Sequence, residues 1–253
     1  TSIFSSTLEK IQSYGTKIIF SYGMSPLMYI NKFEKSFASS FDAIVTNDPI
    51  HAKEWYILWQ ENSISLPVSS VDSKNYDQHI SFIDRKFDIS FVGRLAPQKI
   101  YKKRLETLSF LKKHFWDKLS IWTDDEKIIE QHDLGLCYKG SAHGDKMISI
   151  LKNSKICIND HWYTMPGGGN IRTFEICWAG ALQIVDAVDS QWFDIGKELV
   201  TFDTLEKLKY LIDYYLKHSN ERIAVAKAGY ERVFKDHTYE HHFTKLLKIL
   251  DSL

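Results

Sequence analysis

Short apolar runs alternate along this chain with amphipathic stretches, and this alternation restricts the possible fold more than any other feature of the sequence. The apolar runs predict strands at 17–20, 43–46, 64–68, 87–92, 119–123, 155–159 and 181–185. Helical periodicity predicts helices at 31–40, 49–60, 103–115, 145–153, 172–179, 205–217, 220–234 and 241–253. Strands that alternate with helices form a parallel sheet covered on both faces. The predicted fold class is therefore α/β, with a Rossmann-type parallel sheet.

A polar stretch at 69–86 divides the chain into two units. It is rich in Ser, Asp, Asn and Gln and lacks apolar periodicity, which is typical of a linker. We expect a smaller, incomplete N-terminal α/β unit with its linker at 1–82, a larger unit at 83–235 and a closing helix at 236–253. Two complete units of ~150 residues each would need roughly 300 residues. Since the chain begins with Thr1, we expect it to be part of a longer polypeptide.

The charge balance excludes some classes of protein. The chain has 32 Lys and Arg residues against 32 Asp and Glu residues, so it lacks the net positive charge with which proteins grip nucleic acid. Cys137, Cys157 and Cys177 form no C-x-x-C pair, which argues against a disulfide framework or a zinc knuckle and favours a cytoplasmic location. Apolar runs long enough to span a bilayer are missing from the sequence.

In a parallel sheet, ligands bind at the carboxyl ends of the strands, so the loops there are the first place to look for chemistry. After the strand at 87–92 come Gly93, Arg94, Lys99 and Arg104. The glycine permits a sharp turn, and the cations lie near the start of a helix, whose free N–H groups attract phosphate. The alternative is a solvated basic face, which is the usual fate of residues such as Lys103.

A second loop holds a run of three glycines that ends with Gly168 and Gly169. Glycines allow the backbone to approach a ligand closely, and Asn170 is a good N-cap for the helix that follows. On that helix, Arg172 is placed to contact a phosphate, and Glu175 is placed to bind ribose hydroxyls. The alternative is a flexible loop followed by a surface ion pair between these two side chains at i, i+3.

A third loop begins with Asp160 and His161, directly after the strand at 155–159. A carboxylate beside an imidazole suits general acid/base catalysis or the binding of sugar hydroxyls. The alternative is a structural histidine, which is the more frequent role of a single His.

Several segments after residue 87 resemble one known family in order along the chain. They are FDISFVG at 87–93, SKICIN at 154–159, NIRTFE at 170–175, AGALQ at 179–183, GKELV at 196–200, AGYER at 228–232 and HTY at 237–239. This set resembles glycosyltransferases of the spore-maturation (CgeB-like) group, which have the GT-B fold of two Rossmann-like domains facing a cleft. The resemblance implies that residues 83–235 bind a nucleotide-sugar and that the closing helix packs back on the N-terminal unit.

The resemblance also implies roles for single residues. In related group-1 glycosyltransferases, an Arg and a Lys in a G-R-x4-K pattern neutralise the donor diphosphate, and Gly93, Arg94 and Lys99 have that spacing. The glutamate after the glycine loop holds the ribose, which corresponds to Glu175. Those enzymes also carry an E-x7-E pair, whose first position is Gly167 in this sequence, so their donor-sugar contacts and retaining stereochemistry do not transfer.

The resulting hypothesis is a glycosyltransferase that moves a sugar from a nucleotide-diphosphate-sugar donor to a glycan or protein acceptor, in bacterial surface polysaccharide or glycan synthesis. The expected catalytic residues are Asp160 and His161, and we expect neither a metal ion nor a further cofactor. Peripheral membrane association through regions outside this chain is a further expectation. Two alternatives stay open at this point: a nucleotide-sugar epimerase, and a nucleotide-sugar-binding module without its own turnover.

Overall fold

The computed structural model describes residues 5–21, 23, 25–26, 38–58, 62–67, 71–97, 100–161 and 165–253. A small parallel sheet lies in the N-terminal part, with strands β1 (Ile19–Ser21), β2 (Ala43–Thr46) and β3 (Ser63–Ser65) in that order. In the described part of this region, helices α1 (Ser5–Gln12) and α2 (Pro49–Leu58) accompany it. The strand predicted at 64–68 ends before Pro67, which cannot donate a ladder hydrogen bond. Most of the helix predicted at 31–40 falls outside the described residues.

A larger parallel sheet follows, with strands in the order β5-β4-β6-β7-β8. Its strands are β4 (Phe87–Val92), β5 (Leu119–Trp122), β6 (Ser154–Asn159), β7 (Leu182–Val185) and β8 (Val200–Thr201). The helices that cover it and close the chain are α3 (Lys102–Phe115), α4 (Glu126–Gln131), α5 (Gly144–Lys152), α6 (Ile171–Trp178), α7 (Leu205–Lys217), α8 (Ser219–Asp236) and α9 (Tyr239–Ser252). The α/β class and the Rossmann-like parallel sheet are thus confirmed.

The strand order locates the ligand crevice of this sheet. From β4 the chain crosses through α3 to β5 on one side, and it then returns to place β6 on the other side of β4. The two connections leave β4 in opposite directions, which opens a crevice at the carboxyl ends of β4 and β6. The loops that follow Val92 and Asn159 therefore face each other at this crevice.

The core accounts for the apolar side chains of the central strands. Helices cover both faces of β4 and β6, so side chains pointing in either direction are buried. The largest core cluster joins these strands to α3 and α7, through Ile89, Phe91, Leu105, Leu108, Ile156, Ile158, Leu208 and Ile212 among others. This packing fixes the strand ends that form the crevice.

Helix α9 returns to the N-terminal unit. Its first residue, Tyr239, donates its N–H to Val71 O at 2.9 Å, and near its end Leu250 O accepts from Lys17 Nζ at 2.9 Å. His242 of this helix is buried, and Phe243 and neighbouring side chains line an apolar cavity of about 250 Å³ against the small sheet. None of the helices in the described part of the chain combines the length and apolar content that a membrane span requires.

Candidate functional site

Three neighbouring cavities lie along the carboxyl edge of the larger sheet. The β4–β5 cavity, of about 480 Å³, is lined by Gly93, Arg94, Trp122, Thr123, Asp124, His143 and Arg172 among others. The β4–β6 cavity, of about 210 Å³, is lined by Gly93, Tyr101, Arg104, Asn159, Asn170 and Arg172 among others. The α3 cavity, of about 320 Å³, is lined by Tyr101, Lys102, Lys103, Arg104, Asp160 and His161 among others. The three loops selected from the sequence therefore meet at one edge of the sheet.

The first loop turns sharply after β4. The Gly93 N–H donates to Trp122 O at 3.1 Å, and a Cβ on this glycine would lie 3.1 Å from the Phe91 ring. Arg94 is exposed and faces the β4–β5 cavity together with Arg172. Two cations from different loops thus border one cavity. Lys99, the third cation predicted here, lies outside the described residues.

Arg104 has a role that differs from the predicted one. Its guanidinium donates to Arg94 O at 2.7 Å and to Asp160 O, and it lies over the rings of Tyr101 and Phe91, at 4.5 and 5.4 Å from the ring centroids. Burial lowers the pKa of this group, and the nearby carboxylates oppose that effect. The sequence predicted Arg104 as a phosphate ligand; the structure uses it to tie the turn after β4 to the end of β6.

The glycine loop packs tightly against other parts of the protein. The N–H of Gly167 donates to Asp48 Oδ2 at 2.8 Å, so it points at the protein and away from a ligand. Gly168 has a φ of 73°, and a Cβ there would lie 2.1 Å from Ala187 O. A Cβ on Gly169 would lie 1.7 Å from Asn47 O. Close protein packing therefore requires the lack of a side chain at Gly168 and Gly169, and their predicted contact with the donor stays a prediction.

Helix α6 begins with the predicted cap. Asn170 Oδ1 accepts the Thr173 N–H at 2.9 Å. On the first turn of this helix, Arg172 Nη1 lies 2.6 Å from Glu175 Oε2, and the glutamate is 8% exposed. The ion pair that sequence analysis kept as an alternative is therefore present, but it is mostly buried and its arginine faces the cavities.

Asp160 is a buried carboxylate at the end of β6. It is 1% exposed, Oδ2 accepts from Thr107 Oγ1 at 2.9 Å, and Oδ1 is buried without a hydrogen-bond partner in the described part of the chain. Burial, followed by the charge of Asp186, raises the pKa of this group to about 6. A carboxyl group that titrates near neutral pH suits proton transfer.

His161 is enclosed more tightly than its predicted catalytic role requires. Its Nδ1 donates to Asp186 Oδ1 at 2.8 Å, its backbone N–H donates to the same oxygen at 2.9 Å, and its Nε2 lies 3.2 Å from Thr173 Oγ1. Both ring nitrogens are engaged and the residue is 3% exposed. This environment favours the structural histidine that sequence analysis kept as the alternative.

Sequence reasoning missed Asp186. The residue directly follows β7, so the strand-end rule that selected Asp160 applies to it equally. Besides its two contacts with His161, it lies 2.7 Å from Lys103 Nζ. Lys103 is therefore an ion-pair partner at the crevice, where the sequence favoured a solvated basic face.

The sequence itself carries a family signature over most of the larger unit. Residues 98–248 match the profile of the family described as glycosyl transferase-like. The chain belongs to the glycosyl transferase-like family. No curated protein sequence matches it.

Solved structures support the GT-B fold for this glycosyl transferase-like chain. Anabaena HepE in complex with UDP-glucose superposes with a TM-score of 0.74 at 12% identity, over 99% of this chain and 77% of HepE. TarM, known from S. aureus, superposes with a TM-score of 0.68 at 13% identity, over 92% of this chain and 50% of TarM. The pneumococcal O-GlcNAc transferase GtfA, with UDP and GlcNAc, gives a TM-score of 0.59 at 13% identity, over 97% and 54%. This chain thus spans about half the length of TarM and GtfA.

Side chains of the types that bind metal ions do not cluster in the described part of this family member. In the described ranges, no three residues among His, Cys, Asp and Glu come together in a way that could hold a metal ion. The acidic residues at the crevice, Asp160 and Asp186, instead bond to Thr107, His161 and Lys103.

Proposed function

We propose that this chain is the donor-binding part of a glycosyltransferase, which moves a sugar from a nucleotide-diphosphate-sugar to a glycan or protein acceptor. The observation that carries the proposal is the pairing of Arg94 and Arg172 at the β4–β5 cavity. These arginines come from two different strand-end loops, and one of them lies on the first turn of α6. Two guanidinium groups beside a helix N-terminus form a site for a diphosphate.

The nucleoside end of the donor occupies the β4–β5 cavity, which has room for a base and part of a ribose. Asp124 and His143 form a polar wall there, with a carboxylate oxygen 2.8 Å from the imidazole Nε2. Glu175 is the proposed ribose ligand. Its carboxylate reaches the ribose hydroxyls when Arg172 turns from it toward the diphosphate.

Catalysis consists mainly of stabilising the leaving diphosphate. As the glycosidic bond breaks, negative charge grows on the phosphate oxygens, and fixed cations lower the free energy of that state. Arg94, Arg172 and the N-terminus of α6 supply this charge, assisted by Lys99. Leaving-group stabilisation by these groups alone, without a metal ion, remains part of the proposal.

The donor sugar points toward the α3 cavity and Asp160. Among the described residues the Oδ1 of this carboxylate has no hydrogen-bond partner, so it is suited to accept a hydrogen bond from a sugar hydroxyl or a proton from the acceptor. His161 then acts indirectly, because its ring and backbone hold the end of β6 against Asp186.

We further propose that the chain belongs to the spore-maturation (CgeB-like) group, on the segments between 87 and 239. A role in surface polysaccharide or glycan synthesis agrees with its neighbours, among which TarM has been crystallised with fondaparinux, α-GlcNAc-glycerol and UDP. We place the protein in the cytoplasm, where nucleotide-sugars are made.

The test is nucleotide binding by calorimetry, with UDP-, GDP-, ADP- and CMP-linked donors compared first by thermal shift. We expect the Glu175→Ala variant to bind the selected nucleotide at least tenfold more weakly than the wild type while its melting temperature stays close. Glu231→Ala, on the exposed surface of α8, is the matched control and should bind normally. Equal affinity of the Glu175 variant and the wild type would remove the ribose assignment.

Incubation with donor alone distinguishes the competing activities. A transferase releases free sugar slowly, whereas an epimerase converts the donor to its isomer. Turnover with an added glycan acceptor would exclude a pure binding module.

A further inference from the structure

We propose that Asn47 and Asp48 are positioning residues for the donor site. The end of β2, in the N-terminal unit, would then set the nucleotide affinity of the larger unit. The segment that they hold is residues 165–170, called here the donor loop. The inference rests on the proposed function only in taking the residues that follow this loop as the donor site.

Asp48 binds the donor loop through its carboxylate. The residue is fully buried, Oδ2 accepts the Gly167 N–H at 2.8 Å, and Oδ1 accepts the Ile50 N–H at 2.9 Å. One carboxylate thus joins the start of α2 in the small unit to the donor loop of the large unit. Hydrogen bonds from backbone N–H groups to a buried, charged acceptor are among the stronger ones in proteins.

Asn47 forms a hydrogen bond with the same loop, two residues after Gly167. Its Nδ2 donates to Gly169 O at 3.2 Å. The contact is close enough that a Cβ on Gly169 would lie 1.7 Å from Asn47 O, and a Cβ on Gly167 would lie 2.8 Å from Asp48 Oδ1. Because these glycines lack a side chain, Asn47 and Asp48 contact the loop backbone directly.

The donor loop is connected to the proposed nucleotide site by two hydrogen bonds from Thr173. Thr173 Oγ1 donates to Gly168 O at 3.0 Å, and the Thr173 N–H donates to Asn170 Oδ1 at 2.9 Å. A displacement of the loop therefore moves the first turn of α6, which carries Arg172. The hydrogen bond between Gly167 and Asp48 therefore affects the position of Arg172, the cation that faces the proposed diphosphate.

Hydrogen exchange tests the contact between Asp48 and the donor loop without reference to activity. In the Asp48→Ala variant, amides in the peptide that covers residues 165–172 should exchange at least tenfold faster than in the wild type. The matched control is Asp42→Ala, because Asp42 is a carboxylate of the same unit whose Oδ2 accepts the Ile18 N–H at 2.6 Å but which does not bond to the donor loop. Asp48→Asn, which keeps the shape and one acceptor, should restore part of the protection and also serves if the alanine variant fails to fold.

Binding of UDP, measured by calorimetry, tests the consequence for the site. We expect Asp48→Ala and Asn47→Ala to weaken UDP binding at least fivefold, Asp48→Asn to weaken it less, and Asp42→Ala to leave it within twofold of the wild type. A loss in the Asp42 variant equal to that in the Asp48 variant would show a general effect of destabilising the small unit and would overturn the proposal. Unchanged or tighter binding in the Asp48 variants would overturn it as well.

The two measurements separate this inference from the proposed function. If the wild type fails to bind UDP, the donor assignment is at fault, and the exchange of the 165–172 peptide alone decides whether Asp48 positions the loop. If UDP binds and the exchange of that peptide is the same in all variants, the positioning role is wrong while the donor assignment stands.

Discussion

Asp186 accepts two hydrogen bonds from His161, one from its backbone N–H at 2.9 Å and one from its Nδ1 at 2.8 Å. The contact ties the loop after β6 to the loop after β7, and Lys103 adds a third bond from α3 at 2.7 Å. Burial by itself would raise the pKa of Asp186, but the hydrogen bonds from His161 and Lys103 and the charge interaction with His161 outweigh it and hold that pKa well below its usual range. Asp186 therefore stays ionised inside the crevice.

Replacing Asp186 by Asn should destabilise the fold in a pH-dependent way. A carboxylate with a lowered pKa stabilises the folded state above its unfolded pKa of ~3.9, and this stability is lost as the pH falls toward the folded value. At pH 7 we expect a loss of about 3 kcal/mol in the free energy of unfolding, because the variant removes a buried, charged group that accepts three hydrogen bonds. As the pH falls below ~4, the free energies of unfolding of the variant and the wild type, measured with urea, should converge. A constant difference across this range would contradict the assignment.

The behaviour of Asp186 also shows how far the sequence predicts the site. The strand-end rule located Asp160 and would have located Asp186, since both directly follow a buried strand. The rule states where a side chain starts, but the partner it reaches depends on helix packing. Arg104 and Lys103 are adjacent on α3, and packing sends one to two backbone carbonyls and the other to Asp186. No pattern in the sequence distinguishes these two outcomes.

Asp160 should limit stability at neutral pH. Because burial and Asp186 raise its pKa to about 6, the folded state holds a proton that the unfolded state releases near pH ~3.9, and the associated stability is lost as the pH rises through 6. Asp160→Asn removes this penalty, so we expect the free energy of unfolding to rise by up to about 3 kcal/mol at pH 8 and by little at pH 4. Glycosyl transfer should fall steeply in the same variant, which would be a trade of stability for function.

Thermal unfolding at both pH values, together with a transfer assay, checks this prediction. Thr107→Val is the companion variant, since it removes the hydroxyl that bonds Asp160 Oδ2 and leaves the carboxylate in place. We expect it to raise the apparent pKa of the activity profile. A variant at Asp160 that loses stability at pH 8 and keeps full activity would contradict both roles.

A buried histidine pair at the start of α9 should make the fold sensitive to mild acid. His237 Nε2 donates to Trp192 O at 2.8 Å, and His242 Nε2 lies 3.5 Å from His237 Nδ1. Burial lowers the pKa of each to about 4, opposed for His237 by the Trp192 carbonyl and assisted for His242 by the charge of His237. A histidine with a lowered pKa stabilises the folded state above ~6.5, and this stability is lost as the pH falls through 4.

The free energy of unfolding of the wild type should therefore drop between pH ~6.5 and 4. His237→Gln keeps a donor for the carbonyl and cannot become charged, so its dependence on pH over this range should be weaker. His79→Gln, at an exposed position of the linker, is the control and should follow the wild type. Urea unfolding at pH 7, 5.5 and 4.5 gives the comparison, and identical slopes for all three proteins would exclude the pair as the source.

Secondary structure was easier to predict than the packing around it, and the glycine loop shows why. The central strand at 87–92 and the helix at 205–217 are as predicted, because burial leaves a mostly apolar run in the strand and an apolar stripe along one face of the helix. Strand β8 was missed because its two residues are too few to form a pattern. The three glycines predicted a close approach of the backbone to a ligand. The groups that contact them in the protein are Asp48, Ala187 and Asn47, which are distant in sequence and cannot be identified from local spacing.

The packing role of these glycines leads to a comparison between two alanine substitutions. In Gly169→Ala the new Cβ would lie 1.7 Å from Asn47 O and 2.8 Å from the Trp192 ring, so the backbone must shift or the contact between the units must open. Overpacking of this kind costs about 1–3 kcal/mol, and we expect at least the upper end because the clash is with backbone. Gly135→Ala is the control, since its Cβ would meet nothing within 4 Å. Chemical denaturation should show a large loss of stability for the first variant and almost none for the second, whereas a glycine needed only for ligand approach would leave the stability of the free protein unchanged in both.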